Sequence, residues 1–419
     1  MALAIAISLL AVVGLEGSAA RAADAGELDR SFGTNGRTTV NFGDLEVAWD
    51  LAFQGPRHPI VAGWTLVETG SCCDAERINV ALARLRSGGR LDSGFGRGGT
   101  ARTRSGDRTA YAVAVQDTGK ILVAGGGCYL MRYKPDGTLD QRFGRGGIAQ
   151  PNLDPDMQLR CRSLALQDNG RAVVAGHGYT PSTGNQPILL RYRRGGSLDE
   201  SFAADGKAIG GLPGTMTVDD LLIQPDGGIV VAGGSSLGDF SVARYTSQGE
   251  PDPSFSGDGL AATDIAGTGD VSGVALSEEG LVISGTRLTP GSYDFALARF
   301  DLNGNLDLDF GEGGIQTTDF RQGGDDDAWG IAAQADGKVV LAGSTDSPGK
   351  SQDFALARYL PDGTLDPSFS RNGKAVTAFK RSRRGARDVA YGVAVDRHER
   401  ILAVGSSGKD FAVARYHGG

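Results

Sequence analysis

Histidine, cysteine, methionine and tryptophan are scarce in this chain of 419 residues, and the scarcity closes off whole classes of function. The four histidines, His58, His177, His398 and His417, are scattered, so neither a zinc site nor a nucleophile–histidine pair is spelled out. No CxxC pair and no HExxH occurs. Basic residues are in deficit: 42 Lys and Arg against 50 Asp and Glu give a net charge of −8, which argues against a nucleic-acid partner. Beyond residues 2–15 no run is long and apolar enough for a membrane-spanning helix. Helices are disfavoured throughout, because 66 glycines, roughly twice the usual share near 7%, and 15 prolines call for turns. No glycine recurs strictly at every third residue, which excludes collagen.

Residues 2–15 (ALAIAISLLAVVGL) are apolar and lead to Ala20-Arg21-Ala22, the layout of a secretory signal peptide over residues 1–22, although no Lys or Arg precedes the apolar run. Export places the four cysteines, Cys72, Cys73, Cys128 and Cys161, in an oxidising compartment where disulfides are expected. Cys128 is expected to bridge either to Cys161 or to the Cys72-Cys73 pair.

The remainder repeats itself about every 56 residues. A Val-Ala-Gly-like run ends at Gly63, Gly125, Gly176, Gly233, Gly285, Gly343 and Gly405. A segment like Asp-Phe-Ala-Leu-Ala-Arg-Tyr follows, with arginines Arg84, Arg132, Arg191, Arg244, Arg299, Arg358 and Arg415. Eight residues after each of the first six comes the aspartate of a Leu-Asp-x-x-Phe turn: Asp92, Asp140, Asp199, Asp252, Asp307 and Asp366. The seventh copy stands at the other end of the chain, as Leu28-Asp29-Arg30-Ser31-Phe32.

Each repeat reads as four strands joined by Asp-Gly turns such as Asp136-Gly137 and Asp362-Gly363. Seven such units predict an all-β, seven-bladed β-propeller over residues 27–419, with blades at about 45–106, 107–157, 158–214, 215–269, 270–324, 325–385 and 386–419. Residues 27–44 are expected to complete the last blade, so that main-chain hydrogen bonds clasp the ring.

The pattern D-G-K-x-x-x-A-G, D-F-A-L-A-R-Y, D-G-x-L-D-x-x-F-G-x-x-G stands here as Asp336 to Gly343, Asp353 to Tyr359 and Asp362 to Gly373. It resembles the delta-60 repeat family of bacterial exported β-propellers. Blade one departs most, with Arg57-His58-Pro59 in place of the turn and Leu85 in place of the aromatic residue. The resemblance implies the fold and a secreted, periplasmic or cell-surface location in a bacterium. The family is largely without assigned activity, so no catalytic residue comes with it.

The arginine and aspartate of each repeat, including Arg415 with Asp29, are read as a bidentate structural pair, and the phenylalanine three residues after each aspartate as packing between blades. Function is expected where the copies differ. Acidic residues stand where most blades begin: Asp44 and Glu46, Asp107, Asp219 and Asp220, Asp270, Asp325 to Asp327, and Asp388. They read as a solvated rim. Asp50 and Asp220 align with Gly, Ala or Ser elsewhere, point into the channel, and are the candidate ligands for calcium, the one cofactor considered. The stretch Asp301-Leu-Asn-Gly-Asn-Leu-Asp307 looks calcium-like but reads as a hairpin turn, and Lys380-Arg-Ser-Arg-Arg384 as a solvated basic run. The expectation is a monomeric binding module for an envelope or extracellular protein or glycan. The rival is a calcium-dependent hydrolase or lactonase with its carboxylates at the channel mouth.

Overall fold

The structure is a computed structural model and describes residues 24–67, 77–106, 108–265, 269–321, 323–346, 351–379 and 387–419. The signal-peptide segment, Cys72, Cys73, Asp107 and the basic run at 380–384 lie outside the described residues. Among the described residues no helix is long and apolar enough to cross a membrane.

Seven four-stranded antiparallel sheets stand side by side, each with its strands paired in chain order except the last. The first strands are Leu45–Gln54, Ala110–Val115, Gln158–Leu166, Asp220–Ile223, Gly269–Leu276, Asp326–Ala333 and Asp388–Val395. Each touches the first strand of the next blade, and the seventh touches the first, so the strands enclose one central channel. In the last sheet the fourth strand is Arg37–Val40, which pairs with Asp410–Tyr416 in the register Arg37↔Ala414 to Val40↔Phe411. The expected clasp is thus present. The protein is a seven-bladed β-propeller closed by its N-terminal segment.

Second and third strands are buried on both faces, as in Ile121–Gly125 and Tyr129–Tyr133. Their unalternating apolar runs are what a strand covered by a sheet on either side requires. The hydrophobic clusters follow from this: each spans two neighbouring blades, as where Ile60, Val80 and Leu82 pack with Val113, Val123 and Met131.

All seven arginine–aspartate pairs form, at 2.7–2.9 Å. Each guanidinium also lies over the phenylalanine of its own repeat, with centroid distances from 4.5 Å at Phe143 to 5.1 Å at Phe255. The same guanidinium donates a further hydrogen bond to a turn carbonyl of the following blade: Arg84 to Pro135, Arg191 to Ser247 and Arg244 to Leu302, each at 2.6 Å. Arg415 donates to Ser87 across the point of closure. The phenylalanine completes the contact, because Phe95 lies against Gly137 (φ +84°) of the next Asp-Gly turn, where a Cβ would meet the ring at 2.8 Å. Burial alone would raise the pKa of Asp366, but hydrogen bonds from Ser368 and the charge of Arg358 hold it below the usual carboxylate range.

Cys128 bridges to Cys161, which settles between the two pairings the sequence left open. Cys128 sits in the turn between strands two and three of blade two, and Cys161 on the first strand of blade three.

Two outcomes follow. Arg358→Ala strands a pair whose side chains are each 3% exposed and lowers stability by about 3–5 kcal/mol. Arg244→Ala, in a pair exposed by 12% and 21%, costs less. Denaturant melts that show equal losses would contradict the burial argument. Reduction of the Cys128–Cys161 bridge, with its sequence separation of 33 residues, lowers stability by about 3–4 kcal/mol. A Cys72→Ser/Cys73→Ser variant, melted with and without reductant, shows the same loss; a melt insensitive to reductant overturns the assignment.

Candidate functional site

The channel mouth is built by a β-bulge that recurs near the start of strand one. Pairing between the first two strands slips at Ala48/Asp50, Ala110/Ala112, Cys161/Ser163, Val271/Gly273, Ala328/Gly330 and Ala390/Gly392. The cause is the glycine of each Val-Ala-Gly run. A main-chain carbonyl of strand one packs onto it so closely that a Cβ at Gly63 would lie 1.9 Å from the oxygen of Val47, and one at Gly125 1.7 Å from that of Thr109. A bulge re-aims one side chain. Here the re-aimed residues are Trp49, Tyr111, Arg162, Ser272, Trp329 and Tyr391, and all line the mouth. Asp219, just before the regular strand of blade four, holds the seventh place, because Asp220 pairs with Ala232 as Asp50 pairs with Ala62.

These seven residues divide the mouth into two halves. Trp49 contacts Tyr391 at 4.4 Å, Tyr111 at 5.1 Å and Trp329 at 6.1 Å between ring centroids, and Trp329 meets Tyr391 at 5.4 Å. Blades one, two, six and seven thus contribute one aromatic cluster. Blades three, four and five contribute Arg162, Asp219 and Ser272, with Arg162 paired to Asp219 at 2.9 Å. The indole Nε1–H groups of Trp49 and Trp329 are buried and donate to no acceptor among the described residues. From the polar half a groove of about 640 Å³ runs outward over blades three to six, past Arg160, His177, Asp270, Tyr293 and Asp327. Burial pushes Asp219 up and His177 down, and each of the two charges opposes the other's shift.

Asp50 and Asp220 do line the channel, as their alignment implies. Their oxygens are engaged by the protein. Asp50 accepts the N–H groups of Leu51 at 2.7 Å and of Val113, in the next blade, at 2.8 Å. Asp220 accepts those of Leu221 at 2.8 Å and Val274 at 3.0 Å, and the Ser163 hydroxyl at 2.7 Å. Each carboxylate therefore ties its strand to a neighbouring first strand, where a calcium ion would have to compete for the same lone pairs. Burial pushes Asp50 up to about 7, against the pull of these N–H groups, and raises Asp220 as well.

The acidic rim splits in two. Glu46, Asp326 and Asp388 do not form a solvated rim; they are buried and accept the N–H of Phe42, Phe320 and Phe379, each two residues past the preceding fourth strand, where the crossover opens. Their burial has a plain cause: the chain turning from strand four into strand one leaves donors that need an acceptor. Asp325 remains exposed. Asp301 spends its oxygens on Asn303 and Asn305, which makes its stretch a hairpin turn. Gly234-Ser235-Ser236-Leu237-Gly238 spells G-x-S-x-G, but it lies at a hairpin tip and not at the strand-to-helix turn of a nucleophile elbow. The aromatic half of the mouth escaped the sequence reading. A signal was available, since each of these residues precedes the aligned Asp, Gly, Ala or Ser position.

Fold and site together define a seven-bladed propeller with a regular frame and an irregular mouth. Residues 116–143, 167–202, 224–255, 281–310 and 334–369 match the family described as "Domain of unknown function (DUF5122) beta-propeller". The matched stretches contain five of the arginine–aspartate pairs and none of the seven mouth residues. No curated protein matches the chain in sequence. Among solved structures it is similar to the extracellular domain of a proposed one component system from B. thetaiotaomicron, at 14% identity and a TM-score of 0.45, over 91% of this chain and 40% of that one. The chain thus spans well under half of that protein's length. A glucose dehydrogenase is similar at 11% identity and a TM-score of 0.44, over 74% of this chain and 96% of that one. A protein of unknown function from Dyadobacter fermentans is similar at 14% identity and 0.43, over 77% and 98%.

Asp50 supplies a pH test. Its folded pKa of about 7 lies above the ordinary 3.8, so between these values the folded state holds a proton that the unfolded state has released. Stability therefore falls as pH rises through that window. His177, lowered from 6.5, acts in the opposite sense only at lower pH. Between about pH 5 and 7.5 the loss of stability due to Asp50 is expected to disappear in Asp50→Asn, so that melting temperature declines more steeply with pH in wild type than in the variant. An identical slope in the variant would show that Asp50 does not titrate there.

Proposed function

We propose that the protein is an exported binding module that seats a saccharide in the groove leading into the channel mouth. The observation that carries this reading is the broken symmetry of the seven equivalent mouth positions. These positions present four aromatic rings on one side and Arg162, Asp219 and Ser272 on the other. A plug needed only to fill the channel has no use for an ion pair facing it. A sugar ring uses both: its C–H faces lie on aromatic surface, and its hydroxyls accept hydrogen bonds from a guanidinium and donate them to carboxylates. Export is supported by the Cys128–Cys161 bridge, by the leader-like residues 1–22 and by the resemblance to delta-60 repeat proteins. The calcium-dependent hydrolase is the weaker reading, because Asp50 and Asp220 are already committed to main-chain donors.

Two of the three tryptophans line the mouth, so binding should be visible in intrinsic fluorescence. Bacterial envelope oligosaccharides are screened on an array, and hits are titrated into residues 24–419. Arg162→Ala is expected to weaken binding about tenfold, or about 1.4 kcal/mol, and Trp329→Ala at least as much, with Arg162→Ala leaving the melt near wild type. Binding that ignores Arg162→Ala, or an array without hits, would overturn the proposal.

A further inference from the structure

Three carboxylates converge where blade five passes the chain to blade six. Asp294 stands near the start of the third strand of blade five (Ser292–Phe300), Asp319 just after its fourth (Ile315–Thr318), and Asp326 opens the first strand of blade six. One oxygen of each lies within 4.8 Å of the other two. Asp326 is 0% exposed and Asp294 8%, and no donor meets either Oδ1 in full hydrogen-bond geometry, although the hydroxyl of Thr345, paired across the strands, is beside Asp326 and those of Thr289 and Ser292 are beside Asp294. The other oxygen of Asp326 accepts the Phe320 N–H at 2.6 Å.

Nearby cations do not balance the cluster. Arg287, opposite Asp294 in the strand pair, tempers that one charge, and the Lys374 ammonium donates to the main-chain carbonyl of Asp319 at 2.9 Å. Burial first, and then the charges of Asp319 and Asp294, push Asp326 up to about 7.

Equivalent junctions show how the fold ordinarily relieves such crowding. The register that pairs Phe295 with Thr318 pairs Phe354 with Thr377, Phe411 with Val40 and Phe240 with Thr263, which aligns the three positions. Between blades seven and one they hold Asp410, Asn41 and Glu46, and the Asn41 amide donates to Asp410 at 2.6 Å. Between six and seven they hold Asp353, Ala378 and Asp388, and Asp353 is paired with Arg321 at 3.1 Å. Between four and five Gly269 takes the third place. The junction of blades five and six alone among these four puts a carboxylate in every position.

We propose that Asp294, Asp319 and Asp326 hold a calcium ion that ties blade five to blade six. An all-oxygen donor set selects a hard cation over zinc or copper. Exposed Asp319 leaves the outer coordination positions to water, a loose arrangement that suits calcium better than the strict octahedron of magnesium. The ion would sit behind the groove wall, since Tyr293 and Asp327, next in sequence to two of its ligands, line that groove.

The test uses Asp319→Asn, because Asp319 is exposed and the variant keeps the fold. In EDTA the variant should melt above wild type, since a repelling charge is gone. Calcium should raise the melt of wild type saturably and leave Asp319→Asn unmoved. Equilibrium dialysis with calcium alone should fall from one ion per chain to none in the variant. Asp50→Asn should respond to calcium as wild type does, which separates this site from the channel pair. Wild type that ignores calcium, an Asp319→Asn variant that still responds, or a response lost with Asp50 would each overturn the proposal. None of these readouts involves a saccharide, so the two proposals stand or fall separately.

Discussion

Everything in this ring hangs on how one blade holds the next, and an arginine does most of it. The guanidinium at the end of strand three meets three needs at once. It pairs with the aspartate of its own turn, lies on the phenylalanine that follows, and donates to a carbonyl of the neighbouring blade. Only a planar group with several fixed donors can satisfy all three. Because the carboxylate is buried, the pair gives little net attraction over an apolar substitute; what it supplies is geometry, since any displacement leaves charges unmatched. Seven repetitions of that demand leave the neighbouring blades one relative placement. Arg415 with Asp29 extends it across the two ends of the chain.

A frame so constrained frees the other face. The glycine of each Val-Ala-Gly run lets the chain of strand one approach until its carbonyl would strike any Cβ, and in six of the seven blades a bulge there turns one side chain toward the axis. The bulge is a property of the backbone, so the side chain it presents can vary without cost to the ring. Trp49, Arg162, Asp219 and Ser272 occupy the same place in their blades and share no chemistry. The frame carries the family resemblance, and the mouth carries what is particular to this protein. The matched family segments fall on the frame for the same reason.

Buried acids show a second economy of the fold. Glu46, Asp326 and Asp388 accept main-chain donors at crossovers, and Asp50 and Asp220 bind first strands to one another. Each is a local answer to an unpaired N–H group, placed where no neighbouring strand supplies a carbonyl. Burial raises the pKa of Glu46, Asp50, Asp220 and Asp326 against the pull of those N–H groups, so the raised values are not by themselves marks of catalysis. Asp294 with Asp319 and Asp326 differs, because there three carboxylates converge where each of the other three compared junctions holds two.

The number of blades, the seven ionic pairs and the N-terminal clasp were all legible in the sequence, because a repeated element reveals its role by recurring at one spacing. Arg84 to Asp92 and Arg358 to Asp366 could be read as the same object, and the displaced Leu28-Asp29-Arg30-Ser31-Phe32 pointed to closure. The mouth was not legible in that way. Its residues come from seven blades, one from each, separated by whole repeats, and no local spacing links Trp49 to Tyr391 or Arg162 to Asp219. The buried state of Glu46 and Asp388 was equally hidden, since an acid at a strand start looks solvated until the crossover above it is placed. The sequence by itself determined the repeat and therefore the ring, whose contacts join residues at fixed separations within neighbouring copies. Only the tertiary structure decided which side chains face one another across the axis, because closing the ring brings together positions that are distant along the chain and unlike in kind.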